Sequence, residues 1–268
     1  SAGVEGIIRK PRVRAVTLTG AEPAGRSVAS IAADEVKKAV LELGGSDPFV
    51  VMPSADLDRA VQNAVSARTS NNGQACINAK RFIVHRDIYD AFAERFTQAM
   101  AALVVGDPTE EATQVGPLAL ESGRAEVAAL VDDARAKGAT VRLGGVLPEG
   151  PGWFYPPTVL EDITPAMRIH QEEAFGPVAT LTRVDSLDEA IAVANDVPFG
   201  LGSAAWTADP DEQQAFLDRI DAGTVAINGM TISYPELPFG GQKRSGFGRE
   251  LAGAGIREFC NLKTVWMG

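Results

Sequence analysis

Hydrophobic positions follow two periods along this chain, one typical of strands and the other of helices. Residues 14–20 alternate and include β-branched side chains, which predicts a strand that ends at Gly20. Glu22 and Pro23 follow and predict the first turn of a helix, where an acid and a proline are both favoured. Residues 38–45 predict a second strand that ends in a glycine pair. A strand, a glycine turn and a helix in this order offer free N–H groups to a phosphate, although no G-x-G-x-x-G pattern is present.

The same two periods continue through the rest of the sequence. Helices are predicted at 56–69, 89–104, 124–137, 187–195 and 211–220. Strands are predicted between them at 49–52, 81–84, 138–143, 179–184, 202–206 and 223–228. This alternation predicts an α/β fold with a largely parallel sheet. Residues 261–267 predict a last strand with no partner nearby in sequence, and we expect this strand to pair across a subunit boundary.

Composition narrows the classes of partner. The 268 residues include 25 Lys and Arg against 35 Asp and Glu, which gives a net charge of −10, and the acidic residues are dispersed. Nucleic acid and anionic membranes would require a basic face, so neither is expected as a partner. No apolar run reaches the roughly 20 residues that a membrane span needs. Two cysteines allow at most one disulfide, so a reducing, cytoplasmic setting is expected.

The beginning of the chain has neither an initiator methionine nor a targeting segment. We also expect a buried strand within a few residues of this start. Both features favour the interpretation that the sequence is the C-terminal part of a longer polypeptide.

One cysteine stands out by its position. Cys76 follows a polar loop that contains Gly73 and precedes the strand-like residues 81–84. A cysteine in this setting is either a presented nucleophile or a small buried hydrophobic residue, and the second is the commoner case.

One carboxylate lies in an unfavourable environment. Glu42 is flanked by apolar residues in the predicted strand at 38–45. An ionised carboxylate is costly there unless it is paired or used in chemistry. Glu42 is therefore either ion-paired at a strand end or a functional acid or base.

Four segments together resemble the aldehyde dehydrogenase superfamily over essentially the whole chain. Residues 41–45 are similar to its glutamate motif, 73–76 to its cysteine motif and 173–177 to the motif that holds the nicotinamide ribose. Residues 238–250 match a further signature of the family. The order and spacing carry the resemblance, with 34 residues from glutamate to cysteine and 97 onward to the ribose glutamate.

The resemblance implies a role for each of the two residues already singled out. Cys76 would be the nucleophile, which suits an aldehyde because a thiolate adds reversibly and the adduct can then expel hydride. Glu42 would be the base that activates water against the resulting thioester, and its apolar surroundings would raise its pKa toward neutrality. The backbone N–H of Cys76 could stabilise the developing oxyanion.

A nicotinamide cofactor is implied as well, with NADP expected and NAD possible. The positions that the resemblance assigns to this cofactor are Gly20, Ala21, Leu43, Glu173 and Phe175. Ala21 stands where many relatives have Ser, so one hydroxyl contact is lost there and the backbone N–H remains. No metal site is predicted.

For the substrate, residues 228–231, 233–238 and 257–261 are most similar to the bacterial NADP-linked succinate-semialdehyde dehydrogenases. Ser233 falls where such enzymes place a hydroxyl on the substrate carboxylate, and Phe239 falls in the pocket wall. Several relatives have Arg six residues before the nucleophile, where this chain has Ser70. Unless Arg68 or an upstream Arg binds the carboxylate, a plain aliphatic aldehyde is an equally good substrate.

The expected fold is an α/β catalytic domain of the aldehyde dehydrogenase type with a parallel sheet, preceded by the last part of a Rossmann-like cofactor domain. The expected boundaries are 1–44 for the cofactor part, 45–250 for the catalytic domain and 251–268 for a C-terminal helix and oligomerisation strand. A homo-oligomer, either a dimer or a tetramer, follows from that strand.

Three alternatives remain. A cysteine hydrolase would need a histidine to activate the thiol, and neither His85 nor His170 lies in a motif that would orient it. An acylating dehydrogenase would pass the thioester to coenzyme A, and the presence of Glu42 as a hydrolytic base counts against it. The chain in isolation could also be an inactive folding or assembly unit.

Overall fold

The structure is a computed structural model that describes residues 2–268. Its helices are α1 (Ala2–Ile8), α2 (Glu22–Asp34), α3 (Leu57–Thr69), α4 (Arg86–Ala101), α5 (Glu121–Ala136), α6 (Arg168–Gln171), α7 (Leu187–Asn195), α8 (Pro210–Arg219) and α9 (Ala252–Glu258). Its strands are β1 (Ala15–Thr19), β2 (Lys38–Glu42), β3 (Asp47–Val51), β4 (Ala79–His85), β5 (Thr140–Leu143), β6 (Thr158–Glu161), β7 (Val178–Val184), β8 (Phe199–Gly200), β9 (Ala204–Trp206), β10 (Ala226–Ile227), β11 (Gln242–Lys243) and β12 (Gly246–Phe247). A short 3-10 helix covers Ser70–Gly73.

The chain divides into two compact units. The first unit consists of the chain up to Gly44 together with Ile232–Gly268, and the second unit is Gly45–Thr231. No helix in the described part of the chain is long and apolar enough to cross a membrane.

The second unit is built on a sheet whose described strands run in the order β10-β9-β3-β4-β7-β6-β5. Neighbouring strands are parallel from β10 to β6, and β5 is antiparallel to β6 at the edge. All of β3 and most of β4 are buried, as expected for parallel strands covered on both faces. The predicted α/β class with a largely parallel sheet is therefore confirmed.

Successive side chains of the central strands point to opposite faces of this sheet and enter two different cores. On one face Phe49 and Phe82 pack with Phe92 and Phe96 of α4, and the rings of Phe82 and Phe96 lie 4.6 Å apart. On the other face Ile83 packs with residues of α7 and α8. A third cluster lies between α5 and β6. The helices thus cover both faces of the sheet.

Side-chain caps explain where several of these helices begin. Asp56 accepts from the Arg59 N–H at the start of α3, and Ser186 accepts from the Glu189 N–H at the start of α7. The α4 helix begins at Arg86, three residues before the predicted start, because the ring of His85 accepts from the Asp87 N–H and caps it.

The first unit contains a small sheet in the order β1-β2-β12. β1 runs parallel to β2 with Thr19 opposite Glu42, and β12 runs antiparallel to β2 with Gly246 opposite Glu42. The α2 helix connects β1 to β2, which matches the predicted strand, turn and helix. Glu42 therefore lies in the middle strand of this sheet, at its last residue.

Three features differ from the sequence-based predictions. The chain begins with α1 rather than with a buried strand. Residues 232–250, expected in the catalytic domain, lie in the first unit, because β12 pairs with β2 and the Ser245 hydroxyl donates to the Gly44 carbonyl at 2.7 Å. Such pairing between distant segments leaves no local pattern in the sequence.

The predicted last strand is the third difference. Residues 261–267 form no strand within the described chain. Leu262 is 97% exposed and Trp266 is 83% exposed, so this apolar segment has solvent around it in the single chain. Pairing of the segment across a subunit boundary stays a prediction.

Candidate active site

Cys76 lies in the loop between α3 and β4, and an unusual backbone conformation shapes this loop. Asn71 and Asn72 both adopt left-handed backbone angles, with φ of 51° and 57°. Gly73 follows with φ of 74°, and a side chain at this position would collide with the backbone of Gly176. The position accepts only glycine, because both the dihedral angle and the space exclude a Cβ.

The side chain of Asn78 closes the cysteine loop from the inside. Its Oδ1 accepts from the Ala75 N–H at 2.7 Å, and its amide donates to the carbonyls of Ala67 and Ser70 at 2.9 and 3.2 Å. One buried side chain therefore ties the end of α3 to the residue before Cys76.

Arg68 also supports the Cys76 loop, through hydrogen bonds to backbone carbonyls. Its side chain is completely buried and its guanidinium donates to the carbonyls of Gly73 at 2.8 Å and Val178 at 3.2 Å. Burial lowers the pKa of Arg68 to about 9, partly offset by the charges of Glu173 and Asp47. These contacts commit Arg68 to the backbone, which removes it as a ligand for a substrate carboxylate.

A buried lysine connects Cys76 with Glu173. Lys80, on β4, is 3% exposed. Its ammonium lies 2.7 Å from the Cys76 carbonyl, 3.2 Å from the Ala75 carbonyl and 3.0 Å from Oε1 of Glu173. The structure thus brings together two of the predicted site residues, the nucleophile and the ribose glutamate, around a cation.

The Cys76 thiol is free and only partly exposed. Burial raises its pKa, Lys80 lowers it, the carboxylates of Asp47 and Glu173 raise it, and the N–H of Ile77 lowers it. Because burial is the largest of these effects, the resting side chain is a protonated thiol at neutral pH.

Glu42 occupies a closely packed position in the first unit. It is 2% exposed, and neither of its carboxyl oxygens has a hydrogen-bond partner among residues 2–268. Burial raises the pKa of Glu42 to about 8, with a further contribution from Glu250, and Arg249 acts in the opposite direction. A carboxyl group that is half protonated near pH 8 suits a general base at mildly alkaline pH.

The segment 240–250 forms the wall against this carboxyl group. A Cβ at Gly240 would lie 2.7 Å from Oε1 of Glu42, so the backbone approaches the carboxyl group as closely as glycine allows. Arg249 fixes the segment by donating to the carbonyls of Gly241 and Gly248 at 3.1 and 2.7 Å. Packing therefore explains why residues 238–250 are rich in glycine, since the backbone at Gly240 lies against the Glu42 carboxyl group.

The remaining predicted cofactor residues are divided between the units. Gly20 donates its N–H to the Glu42 carbonyl at 3.0 Å, and Ala21 is the N-cap of α2. Leu43 follows Glu42 and is 6% exposed. Phe175, in the second unit, is 43% exposed. The first unit thus gathers a helix N-terminus and Glu42, and the second gathers Cys76 and Glu173.

The predicted substrate residues lie in the first unit. Ser233 is exposed, and Phe239 is half-buried with its N–H donating to the Glu250 carbonyl at 2.9 Å. No group of three or more His, Cys, Asp or Glu side chains within residues 2–268 could hold a metal ion.

Both histidines are engaged in contacts of their own. The His85 ring caps α4 and lies 3.2 Å from the Asp185 carbonyl, and His170 Nε2 lies 3.6 Å from the Asp196 carboxylate. These contacts give no support to a histidine-activated hydrolase.

Sequence reasoning missed the roles of Lys80, Asn78 and Arg68. A signal existed for Lys80, because a charged residue within a buried parallel strand is as anomalous as Glu42 was in its own strand. Asn78 and Arg68 had no such signal, since both act on backbone carbonyls that only the folded chain brings near.

The sequence of this chain also matches that of a known protein family. Residues 1–265 match the aldehyde dehydrogenase family, and the chain belongs to that family. The resemblance inferred from its motifs is therefore confirmed.

Two curated proteins and one solved structure are similar to this chain over nearly its whole length. The chain is 68% identical over 268 residues to the succinate-semialdehyde dehydrogenase (NADP(+)) of Mycolicibacterium paratuberculosis and spans 57% of its length. It is 64% identical over 267 residues to the succinate-semialdehyde dehydrogenase (NADP(+)) 1 of Mycobacterium tuberculosis and spans 58% of its length. The crystal structure of succinic semialdehyde dehydrogenase from Streptococcus pyogenes with NADP+ has a TM-score of 0.96 at 38% identity, over 99% of this chain and 58% of that one.

Replacing Glu42 by Gln is expected to flatten the pH dependence of stability between about pH 5 and pH 8. The folded chain holds the Glu42 proton up to about pH 8, whereas the unfolded chain loses it near the ordinary value of 4.5. Unfolding therefore releases a proton in this window, and the free energy of unfolding falls as the pH rises, by at most about 1.4 kcal/mol for each pH unit. Urea unfolding of the full-length protein and the Glu42→Gln variant at several pH values measures the difference.

Glu258→Gln is the matched control for this measurement. Glu258 is ion-paired with Lys38 and its pKa is lowered, chiefly by that contact. Its replacement should lower the free energy of unfolding by a constant amount between pH 5 and 8, so that the curve there stays parallel to that of the wild type. This difference should disappear only at lower pH, where Glu258 itself becomes protonated. Parallel curves for wild type and Glu42→Gln would contradict the raised pKa.

Proposed function

We propose that this chain carries the nucleophile and the hydrolytic base of an NADP-dependent aldehyde dehydrogenase. The observation that carries the proposal is the Cys76 loop, which Gly73, Asn78 and Arg68 fix in shape and which Lys80 joins to Glu173. Family membership supports the same reaction. The relatives named above, which carry NADP(+) in their names, support the cofactor.

The reaction begins at the thiol. The Cys76 thiol loses its proton to solvent water and the thiolate adds to the aldehyde carbon, so that a C–S bond forms as the C=O π bond opens. The Cys76 N–H stabilises the resulting oxyanion. The chemistry that a bound NADP+ would supply is an acceptor for the hydride that leaves this carbon. The acyl group remains on Cys76 as a thioester.

Hydrolysis completes the cycle through Glu42. Its carboxylate takes a proton from water, the water oxygen attacks the thioester carbon, and the C–S bond breaks. The carboxylate product leaves and the thiolate of Cys76 is restored. Because Glu42 holds a proton up to about pH 8 and the pKa of the Cys76 thiol is also raised, turnover should increase as the pH rises toward 8.

The residues present fit a dinucleotide. The first turn of α2 follows Ala21, whose side chain offers no acceptor, so backbone N–H groups remain for a pyrophosphate. Glu173 holds a carboxylate ready for ribose hydroxyls, with Lys80 fixing one of its oxygens. Gly20, Leu43 and Phe175 would complete the contacts.

Succinate semialdehyde is the substrate that we propose, on the strength of 68% identity to a relative named for it. Ser233 and Phe239 would contact the substrate, and water rather than coenzyme A would accept the acyl group because Glu42 is present. A plain aliphatic aldehyde is the second candidate. It is favoured by the engagement of Arg68 with backbone carbonyls and by Ser70 in place of an arginine.

We also propose a cytoplasmic homo-oligomer. The two cysteines are both free, which suits a reducing compartment. The apolar residues Leu262, Val265, Trp266 and Met267 are between 71% and 97% exposed in the single chain, and pairing between subunits would cover them.

Cys76→Ser is expected to abolish aldehyde oxidation in the full-length enzyme, by at least about 10³-fold, because a serine hydroxyl has no comparable anionic form near neutral pH. Reduction of NADP+ with succinate semialdehyde, followed by absorbance, measures the loss. Cys260→Ser is the control and should keep the wild-type rate, since the Cys260 thiol is exposed and contacts the Ile256 carbonyl. Turnover retained in Cys76→Ser would refute the assignment.

Glu42→Gln should separate the two halves of the reaction. The first turnover should still release one equivalent of NADPH per active site, because hydride transfer does not require Glu42. Steady-state turnover should then fall by about 10²-fold or more, because no base activates the water. Rapid-mixing absorbance of the full-length variant distinguishes burst from steady state, and a wild-type steady rate would remove Glu42 from the mechanism.

The two candidate substrates differ mainly by a carboxylate. If the enzyme recognises it, kcat/KM for succinate semialdehyde should exceed that for butanal by at least about 10²-fold, the effect of a charge-assisted pair of hydrogen bonds. Ser233→Ala should reduce this ratio without changing turnover of butanal. Equal values for both aldehydes in the wild type would favour the general aliphatic enzyme.

A further inference from the structure

Lys80 occupies a position where an ammonium group is costly. It lies on β4, between the parallel strands β3 and β7, and is 3% exposed. A buried ammonium persists as a cation only when oxygen atoms replace its water. Three do so here, namely the carbonyls of Ala75 and Cys76 and the carboxylate of Glu173.

The next residue on β4, Arg81, is also a buried cation, but its contacts differ from those of Lys80. Arg81 points to the opposite face, where it donates to the carbonyls of Ser46, Val193 and Ala194 at 2.7 to 2.9 Å. It therefore fastens the end of α7 to the sheet. Lys80, by contrast, joins two groups that both belong to the proposed chemistry.

Three charged residues act on the Cys76 thiol. Lys80 on β4 favours the thiolate of Cys76, whereas Asp47 on β3 and Glu173 after α6 oppose it. Asp47 is 2% exposed, accepts from the Gly202 N–H at 3.1 Å, and has its pKa raised to about 6 by burial. The charges of Glu173 and Asp47 also raise the pKa of Arg68, whereas its burial lowers it. Among these groups Lys80 is the cation that contacts the Cys76 residue itself.

We propose that Lys80 is a positioning residue that holds the Glu173 carboxylate and the Cys76 loop on one ammonium group, so that the cofactor-binding acid and the nucleophile keep a fixed relation. This inference rests on the proposed function for the role of Glu173. Removing the charge of either Lys80 or Glu173 should weaken cofactor binding. The two changes should shift the reactivity of the Cys76 thiol in opposite directions.

The test uses the full-length protein in a Cys260→Ser background, so that alkylation by iodoacetamide reports on Cys76. Lys80→Met should slow alkylation at pH 7.5 by at least about threefold, since half a pKa unit changes the thiolate fraction by that factor. Glu173→Gln should accelerate it by a similar factor. Both variants should weaken NADP+ binding, measured by calorimetry, by at least about threefold.

Lys37→Met is the matched control. Lys37 also donates to two backbone carbonyls, those of Ile8 and Lys10, and lies in the first unit. Its replacement should change neither alkylation nor NADP+ affinity. A merely structural role of Lys80 would instead loosen the loop, so that Lys80→Met and Glu173→Gln shift alkylation in the same direction.

Two outcomes overturn the proposal: shifts of the same sign in the two variants, or a Lys80→Met variant that matches Lys37→Met in both measurements. If Lys80→Met does not fold by circular dichroism, Glu173→Gln decides, and an unchanged or slower alkylation overturns the proposal. Neither measurement requires aldehyde turnover. Opposite shifts in a protein that oxidises no aldehyde would therefore uphold the Lys80 inference and remove only the proposed function.

Discussion

A charge inside a parallel sheet is the constraint on which the second unit depends. β4 lies between β3 and β7, and its Lys80 and Arg81 must each find oxygen atoms within the protein. They find them on opposite faces, one at the cysteine loop and the other at the end of α7. The need to neutralise two buried cations therefore determines how a loop and a helix attach to the sheet. Apolar clusters cover the same sheet, one around Phe82 on one face and one around Ile83 on the other.

The two proposed reacting groups share an electrostatic property although they lie in different units. Burial raises the pKa of both Cys76 and Glu42, so each holds its proton in the resting chain near neutral pH. A thiol in this state is protected from indiscriminate oxidation, because the thiolate is the reactive form. A neutral Glu42 likewise avoids the cost of a buried charge in β2.

Much of the fold followed from local patterns. The helix at 187–195 was predicted with its observed bounds, and α3 differed by one residue at its start, because apolar spacing and capping residues are local signals. Cys76 and Glu42 were singled out because a reactive or charged residue contrasted with its neighbours, and the family resemblance then assigned their roles, which stay predictions. The grouping of residues 232–250 with the first unit could not be predicted, since the pairing of β12 with β2 joins residues about 200 positions apart. The charge of Lys80 within a buried strand was a signal in the sequence, but its contacts could not be predicted because the loop carbonyls and Glu173 converge only after folding.

The contacts of Arg68 have a consequence for the order in which the protein assembles. Its acceptor at Val178 lies 110 residues further along the chain, and Gly73 packs against Gly176 in the same region. A nascent chain that has emerged only as far as β6 lacks both partners. Contacts of such sequence separation form late, because the intervening chain must first be ordered. Asn78 ties the cysteine loop to α3 through residues nearby in sequence. The support from Arg68 to Val178 and the close approach of Gly73 to Gly176, by contrast, arise only after β7 has joined the sheet.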